Sequence, residues 1–239
     1  MCTLTVLRSC DALTLTMNRD DAPSRPEAPP RRWGDDGRGF AAPVDCEAGG
    51  TWIGVNAAGL AACLLNRYDD APKGTRSRGD VVPAALNTSK LDSACAAVEA
   101  LALRGYSPFT CLIVSLDGAA CIDWTGAQCR KREFHHPTPW MMTSSSWRFE
   151  AVSAWRQALF EDILVRSQPS HAALSDFHCA IRDGEEAWAP MMRRENAHTK
   201  SVTQIILSPQ DAELRYWTRD DAIERRLDNP AHAIRLARA

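Results

Sequence analysis

Met1-Cys2-Thr3-Leu4-Thr5-Val6-Leu7 is followed, six residues on, by Leu13-Thr14-Leu15-Thr16-Met17-Asn18-Arg19-Asp20-Asp21. Both stretches alternate apolar and polar side chains, which is the period of a half-buried strand. Ser9-Cys10-Asp11 between them reads as a turn, so the chain is expected to open on a hairpin. Folded about Ser9-Cys10, that hairpin puts Cys2 across from roughly Met17 and lets Asn18, Arg19, Asp20 and Asp21 emerge beside the chain start. Aminopeptidases remove a leading methionine when the next side chain is small, so Cys2 is expected to become the first residue. One residue would then hold a thiol and a free α-amine, which titrate near about 8.5 and about 7.7–8.0. A thiol beside its own base is the arrangement of an activated nucleophile. A guanidinium beside it favours the thiolate, as positive neighbours do.

Working outward, residues 22–50 are rich in Pro, Gly and Arg and read as a long loop. A second hairpin is expected from Trp52–Asn56 and Leu60–Asn66, turning at Ala57-Ala58-Gly59. Helix in two pieces follows from about Asp80 to Arg104, the second capped by Asn87 or Thr88 and closed by Gly105. Strands are expected at Phe109–Ser115, Ala119–Trp124 and about Cys129–Phe134, with Asp117-Gly118 as the tight turn between the first two. Residues 147–167 and Leu174–Arg182 read as helices, the first with Phe149, Val152, Leu159, Ile163 and Leu164 facing inward. Val202–Leu207 and Glu213–Thr218 form a last hairpin. Helices set apart from antiparallel hairpins indicate an α+β layered class.

Composition narrows the function. The chain has 239 residues and nearly balanced charge, 28 Lys+Arg against 30 Asp+Glu. It can bury a full core in one domain or stretch to two small ones, and no bulk field argues for nucleic acid or an anionic membrane. The nine cysteines are scattered, with no Cys-x-x-Cys pair, and several sit in apolar runs, as buried free thiols of a reducing cytosol do. Their spacing with histidine suits no closed zinc site, so no metal and no cofactor are expected. No stretch is long and apolar enough to span a bilayer, and no secretory h-region opens the chain. A cytoplasmic location is the expectation. His135-His136 with Pro137 reads as a surface turn, and Trp33, Trp140 and Trp147 as core or rim residues that could wall an apolar pocket.

Met1-Cys2 followed by Asn18-Arg19-Asp20-Asp21 and Ser24-Arg25-Pro26 resembles the start of the NRDE family, also called the transport and Golgi organisation protein 2 family. Gly49-Gly50-Thr51-Trp52-Ile53-Gly54-Val55-Asn56 with Gly59, then Leu65-Asn66 and Ser77-Arg78-Gly79, match its further signatures. The family is similar to the N-terminal nucleophile hydrolases. The resemblance therefore implies a single domain over 1–239 built as a four-layer αββα sandwich with two antiparallel sheets; the residues from about 222 are left as a tail open to flexibility. It also implies acyl chemistry on an amide or thioester of a small acyl substrate. Cys2 would be the nucleophile, Arg19 would stabilise the thiolate, Asp20 would orient the Arg or the ammonium, and Asn66 would donate to the oxyanion. Asp21, where the family has Glu, is a second acid. Ser144 or Ser145 would supply a hydroxyl where the family has Asn. Lys200, in His198-Thr199-Lys200, would replace the family's Arg. The alternative implied is a non-catalytic haem or lipid binding and trafficking protein.

Overall fold

The computed structural model describes residues 2–9, 11–34, 39–134, 139–166 and 170–238. His135, His136 and Cys10 lie outside the described residues. The strands are β1 (Cys2–Arg8), β2 (Leu13–Asp21), β3 (Glu27–Trp33), β4 (Phe40–Asp45), β5 (Ile53–Asn56), β6 (Ala61–Asn66), β7 (Phe109–Val114), β8 (Ala119–Trp124), β9 (Cys129–Phe134), β10 (Trp140–Ser144), β11 (His198–Leu207), β12 (Asp211–Thr218) and β13 (His232–Ala237). The helices are α1 (Val81–Leu86), α2 (Leu91–Glu99), α3 (Phe149–Phe160), α4 (His171–His178) and α5 (Arg219–Arg225). Two antiparallel sheets result, in the orders β10-β1-β2-β11-β12-β13 and β3-β4-β5-β6-β7-β8-β9, so the α+β class holds. The stretch read as a C-terminal tail contains the end of α5 and all of β13.

The chain divides into two compact units. The first comprises Met1–Arg25, Thr138–Gln204 and Arg215–Ala233; the second comprises Pro26–Pro137, Ile205–Leu214 and Ile234–Ala239. In the first, β1 and β2 are buried on both faces, not one. Leu4, Val6, Leu15 and Met17 fill one side, while Thr3, Thr5 and Thr16 are equally sealed on the other. Alternation therefore marks two kinds of interior. Leu7 packs among Leu159, Phe160, Leu164, Leu174 and Phe177 of α3, the π-turn that follows it, and α4, so these helices cover the threonine face. Phe149, expected inward, is exposed.

The second unit is a meander in which every strand neighbours its sequence successor. The segment 22–50 is not a long loop, because β3 and β4 occupy much of it. Pro29 and Pro30 obscured the strand. They sit where the β3–β4 register shifts, between Ala28 and Arg31, on the edge strand of the sheet, the place where a residue without an N–H is tolerated. α1 and α2 lie on this sheet, with Val81, Val82, Leu86 and Val98 in one cluster with Leu64, Phe109 and Ile113. Each fully buried side chain of this kind contributes about 1.5–3 kcal/mol. Gly54 permits the close approach of α1: a Cβ there would meet Leu86 Cδ1 at 2.8 Å and Ala41 O at 2.9 Å. Thr88 does not cap α2. Its hydroxyl donates to Ala85 O at 2.8 Å, and the N-cap position is Lys90.

Candidate active site

β1 runs between β10 and β2, and the register places Cys2 opposite Ser144 on one side and Arg19 on the other. Directly opposed residues share a face, so Ser144, Cys2 and Arg19 form one row across three strands. The expected partner, Met17, instead faces Leu4. The turn runs from Ser9 to Ala12, with Ser9 N–H donating to Ala12 O at 2.9 Å and Ala12 N–H donating to Ser9 Oγ at 3.1 Å. The two-residue shift keeps every side chain on its face, because the strand period is two. It brings Arg19 from beyond Cys2 to directly beside it. Asn18, Arg19 and Asp20 are not an emerging turn either; they continue β2 and are buried.

The Cys2 backbone nitrogen donates to Ser144 Oγ at 3.1 Å. Burial pushes the Cys2 thiol above its ordinary value. The terminal ammonium pulls it down, the Asp20 carboxylate pushes it up, and the Asp20 backbone N–H and the Arg19 guanidinium pull it down again. Arg19 Nη2 donates to Asp21 Oδ2 at 3.2 Å. Asp21 also receives Arg25 Nε at 3.5 Å and the Ala22 N–H at 2.9 Å. The shorter acid at position 21 thus reaches the Arg19 guanidinium.

Asp20 points into different company. Thr199 Oγ1 donates to its Oδ1 at 2.6 Å, and Arg156 Nη2 lies 3.6 Å from its Oδ2, with both side chains fully buried. Burial pushes the Asp20 carboxyl above the usual carboxylate range; Arg156, the terminal ammonium, the Thr199 hydroxyl and Arg194 oppose that rise. Asn18, on the same face, accepts a hydrogen bond at Oδ1 from His178 Nδ1 and donates from Nδ2 to His178 O at 2.9 Å. With Nδ1 as donor, His178 Nε2 accepts from Thr5 Oγ1 at 2.7 Å. Burial lowers the His178 pKa to about 3, so the ring stays neutral.

The remaining candidates divide. Ser145 is buried and caps a turn, donating to Trp147 O at 2.5 Å and receiving Trp147 N–H at 3.1 Å; Arg194 Nη1 reaches it at 3.5 Å. Lys200 turns to Pro23 O at 2.8 Å, and the residue of that triplet that reaches the acid is its neighbour Thr199. Asn66 ends β6 opposite Phe109 in the second unit. Trp147 is exposed and meets Trp188 at 4.9 Å, whereas Trp33 stacks on Phe40 at 5.4 Å. Two groups escaped the sequence reading, Arg156 and Thr199. Arg156 left one signal, a charged residue on the apolar stripe between Val152 and Leu159. Among the described residues no group of three or more His, Cys, Asp or Glu could hold a metal, and no helix is long and apolar enough to cross a membrane.

The family model for Transport and Golgi organisation 2 matches residues 1–223. The chain belongs to that family. No curated protein matches it in sequence. Among solved structures it resembles the N-acylethanolamine-hydrolyzing acid amidase ortholog of Caenorhabditis elegans at 12% identity and TM-score 0.59, over 86% of this chain and 92% of that one. It also resembles the C2A mutant of conjugated bile acid hydrolase from Clostridium perfringens at 11% identity and TM-score 0.55, over 99% and 92% of the two chains. A second variant of that hydrolase matches at 11% identity and TM-score 0.54, over 100% and 97%. At such identities the likeness is one of fold: this member of the family has the fold of N-terminal nucleophile hydrolases.

Proposed function

We propose that this chain is a cysteine-dependent N-terminal nucleophile amidohydrolase or acyltransferase, acting on an amide or thioester bond of a small acyl substrate. The observation that carries the reading is the register that seats Cys2 between Ser144 and Arg19. With Met1 gone, the nitrogen held by Ser144 is the α-amine of Cys2. That amine takes the thiol proton as the sulfur bonds to the carbonyl carbon, and the carbonyl π pair moves to oxygen. Collapse of the adduct expels the leaving nitrogen or sulfur, which receives the proton from the ammonium, and a thioester to Cys2 remains. Water, or an acceptor amine, then attacks that thioester and regenerates the thiol. Arg19 favours the thiolate by charge, and Asp21 holds Arg19. Asn66 is assigned the oxyanion role and Lys200 a supporting one through the resemblance; Ser144 is assigned the α-amine. Fold likeness to hydrolases of N-acylethanolamine and of conjugated bile acid supports the reaction class.

A second reading, a carrier of haem or lipid without catalysis, is favoured by the burial of the Cys2 sulfur and the upward push on its pKa. Intact mass separates the two. Protein purified from the cytoplasm should lack Met1 and gain one acyl group from a β-lactone probe, and Cys2→Ser should gain none. Wild type that lacks Met1 and stays unlabelled, while binding haem or lipid as well as Cys2→Ser does, would refute the enzyme reading.

A further inference from the structure

We propose that Arg156 is the positioning residue of the Cys2 site, a buried guanidinium that sets Cys2 at both its carbonyl and its sulfur; this rests on the reading of Cys2 as the nucleophile. Arg156 projects from α3 with no exposed surface. A guanidinium offers five N–H donors in a fixed fork, and five oxygens meet it. Nε donates to Trp188 O at 2.9 Å, and Nη2 donates to Ala189 O at 2.9 Å and faces Asp20 Oδ2 at 3.6 Å. Nη1 donates to Thr3 Oγ1 at 2.5 Å and to Thr143 Oγ1 at 2.9 Å.

Counting protons gives this network a direction. Arg156 can only donate, so both threonine hydroxyls accept from it. Thr143 Oγ1 gives its single proton to Cys2 O at 3.1 Å. The 3.2 Å contact between Thr3 Oγ1 and Thr143 Oγ1 is therefore a donation from Thr3. The chain Arg156, Thr3, Thr143 ends on the carbonyl of Cys2. Thr3 and Thr143 are also directly paired across β1 and β10, one step from the Cys2–Ser144 pair. A second branch runs through Asp20. Thr199 donates to one of its carboxylate oxygens and Arg156 pairs with the other across 3.6 Å, and its backbone N–H reaches the Cys2 sulfur. Both branches converge on the nucleophile from the helix-covered face, where no substrate need reach.

A simpler account is that Arg156 only ties α3 to the sheet. That account predicts losses that follow stability and nothing else. A positioning role predicts two separable effects, one of geometry and one of charge. Lysine keeps the charge but loses the fork. Methionine removes the cation that opposes the upward push on the Asp20 carboxyl; an Asp20 that takes up a proton then no longer favours the protonated α-amine. The charged and titrating groups around Asp20 are Arg156, Arg194, His198, Arg219, the Cys2 thiol and the amino terminus of the chain, and all but Arg156 are common to all variants.

The test uses full-length protein shown by mass to lack Met1. The rate of Cys2 labelling by a β-lactone is followed across pH for wild type, Arg156→Lys, Arg156→Met and Thr143→Val, with the urea midpoint measured for each. Arg156→Lys should label slower by about 10²-fold, the scale of a misplaced reacting group, with the acid limb of the pH profile in place. Thr143→Val should slow labelling in the same sense. Arg156→Met should move the acid limb to lower pH. Wild-type rates in the Lys and Val variants would overturn the proposal, as would losses that only follow the urea midpoints with every limb unmoved. An acid limb that stays put or moves upward in Arg156→Met would also overturn it. If Arg156→Met does not fold, the Lys and Val variants decide. If wild type itself takes no lactone, the proposed function fails instead, and the same variants are compared by iodoacetamide alkylation of Cys2.

Discussion

Acidification should weaken the fold through His178, and the size of the effect follows from its network. The ring is sealed at the end of α4, donates from Nδ1 to Asn18 Oδ1, and accepts at Nε2 from Thr5 Oγ1. Protonation would require Nε2 to donate toward a hydroxyl that already points at it, in a sealed site. Hence burial carries the pKa from 6.5 down to about 3. The sign is set by which state binds more protons. Between about pH 6.5 and pH 3 the unfolded chain is protonated at His178 and the folded chain is not, so stability falls as pH falls. At about 1.4 kcal/mol per pH unit, going from pH 7 to pH 5 costs about 2 kcal/mol, a sizeable part of a typical total of about 5–15 kcal/mol. Asp20, with its carboxyl pushed up by burial, works in the opposite sense. The assay is therefore a difference. Urea unfolding of wild type and His178→Gln is compared at pH 7 and pH 5. His178→Gln should be the less stable at pH 7 by about 1–3 kcal/mol, and the gap should narrow by about 2 kcal/mol at pH 5. An unchanged gap would mean that the folded protein protonates His178 at its ordinary pKa, which would refute the sealed, directional network.

Two further perturbations address the surroundings of Cys2 and the second unit. Ser144→Ala should slow acylation of Cys2 by about 10-fold, because the α-nitrogen loses its 3.1 Å partner, while shifting the urea midpoint little; the energy scale is that of one net hydrogen bond, about 0.5–1.5 kcal/mol. An unchanged labelling rate would remove Ser144 from the site. Asn56→Ala should destabilise by about 2–4 kcal/mol, since Nδ2 donates to Leu86 O at 2.9 Å and Thr88 O at 2.7 Å while Oδ1 receives Leu60 N–H at 3.0 Å. Labelling of Cys2 in the folded fraction should be unaffected, and a loss confined to labelling would contradict the structural role.

The parts of the fold legible in the sequence are those whose partners lie close along the chain. The first hairpin, the β5–β6 hairpin with Gly59 at φ +78°, and the β7–β8–β9 meander could all be placed from alternation and turn residues. β10 could not, because its partner is β1: the Cys2–Ser144 pair joins residues 142 apart, and Trp140-Met141-Met142 resembles any short apolar run between loops. For the same reason nothing local marks Ser144 as the end of a strand. Candidate residues named through the resemblance fell at or near the row around Cys2 in the case of Arg19, Asp20, Asp21 and Ser144. The sequence could not say which acid serves which base, since that depends on the face each strand residue takes. Thr199, in place of Lys200, meets Asp20 because a β11 hydroxyl buried beside Pro190 and Met192 has no one-dimensional signature.

The strand period also explains how the buried polar run Asn18-Arg19-Asp20, with half-buried Asp21 at its end, fits this protein. In an extended chain Asn18 and Asp20 share one face while Arg19 and Asp21 share the other. On the helix-covered face Asn18 meets His178, and Asp20 meets Arg156 and Thr199. On the Cys2 face Arg19 lies opposite Cys2, and Asp21 pairs with Arg19 from two residues on. The stretch is two interleaved pairs and not one cluster. One face fixes β2 to α3 and α4, and the other presents a cation to sulfur. A single residue inserted or deleted within 18–21 would exchange the faces. It would bury an unpaired guanidinium against α3 and set a carboxylate beside Cys2, at a cost of several kcal/mol for the stranded charge and with the downward pull of Arg19 on the thiol replaced by a further upward push. The order Asn, Arg, Asp, Asp is thus dictated by which side of one strand each group must face.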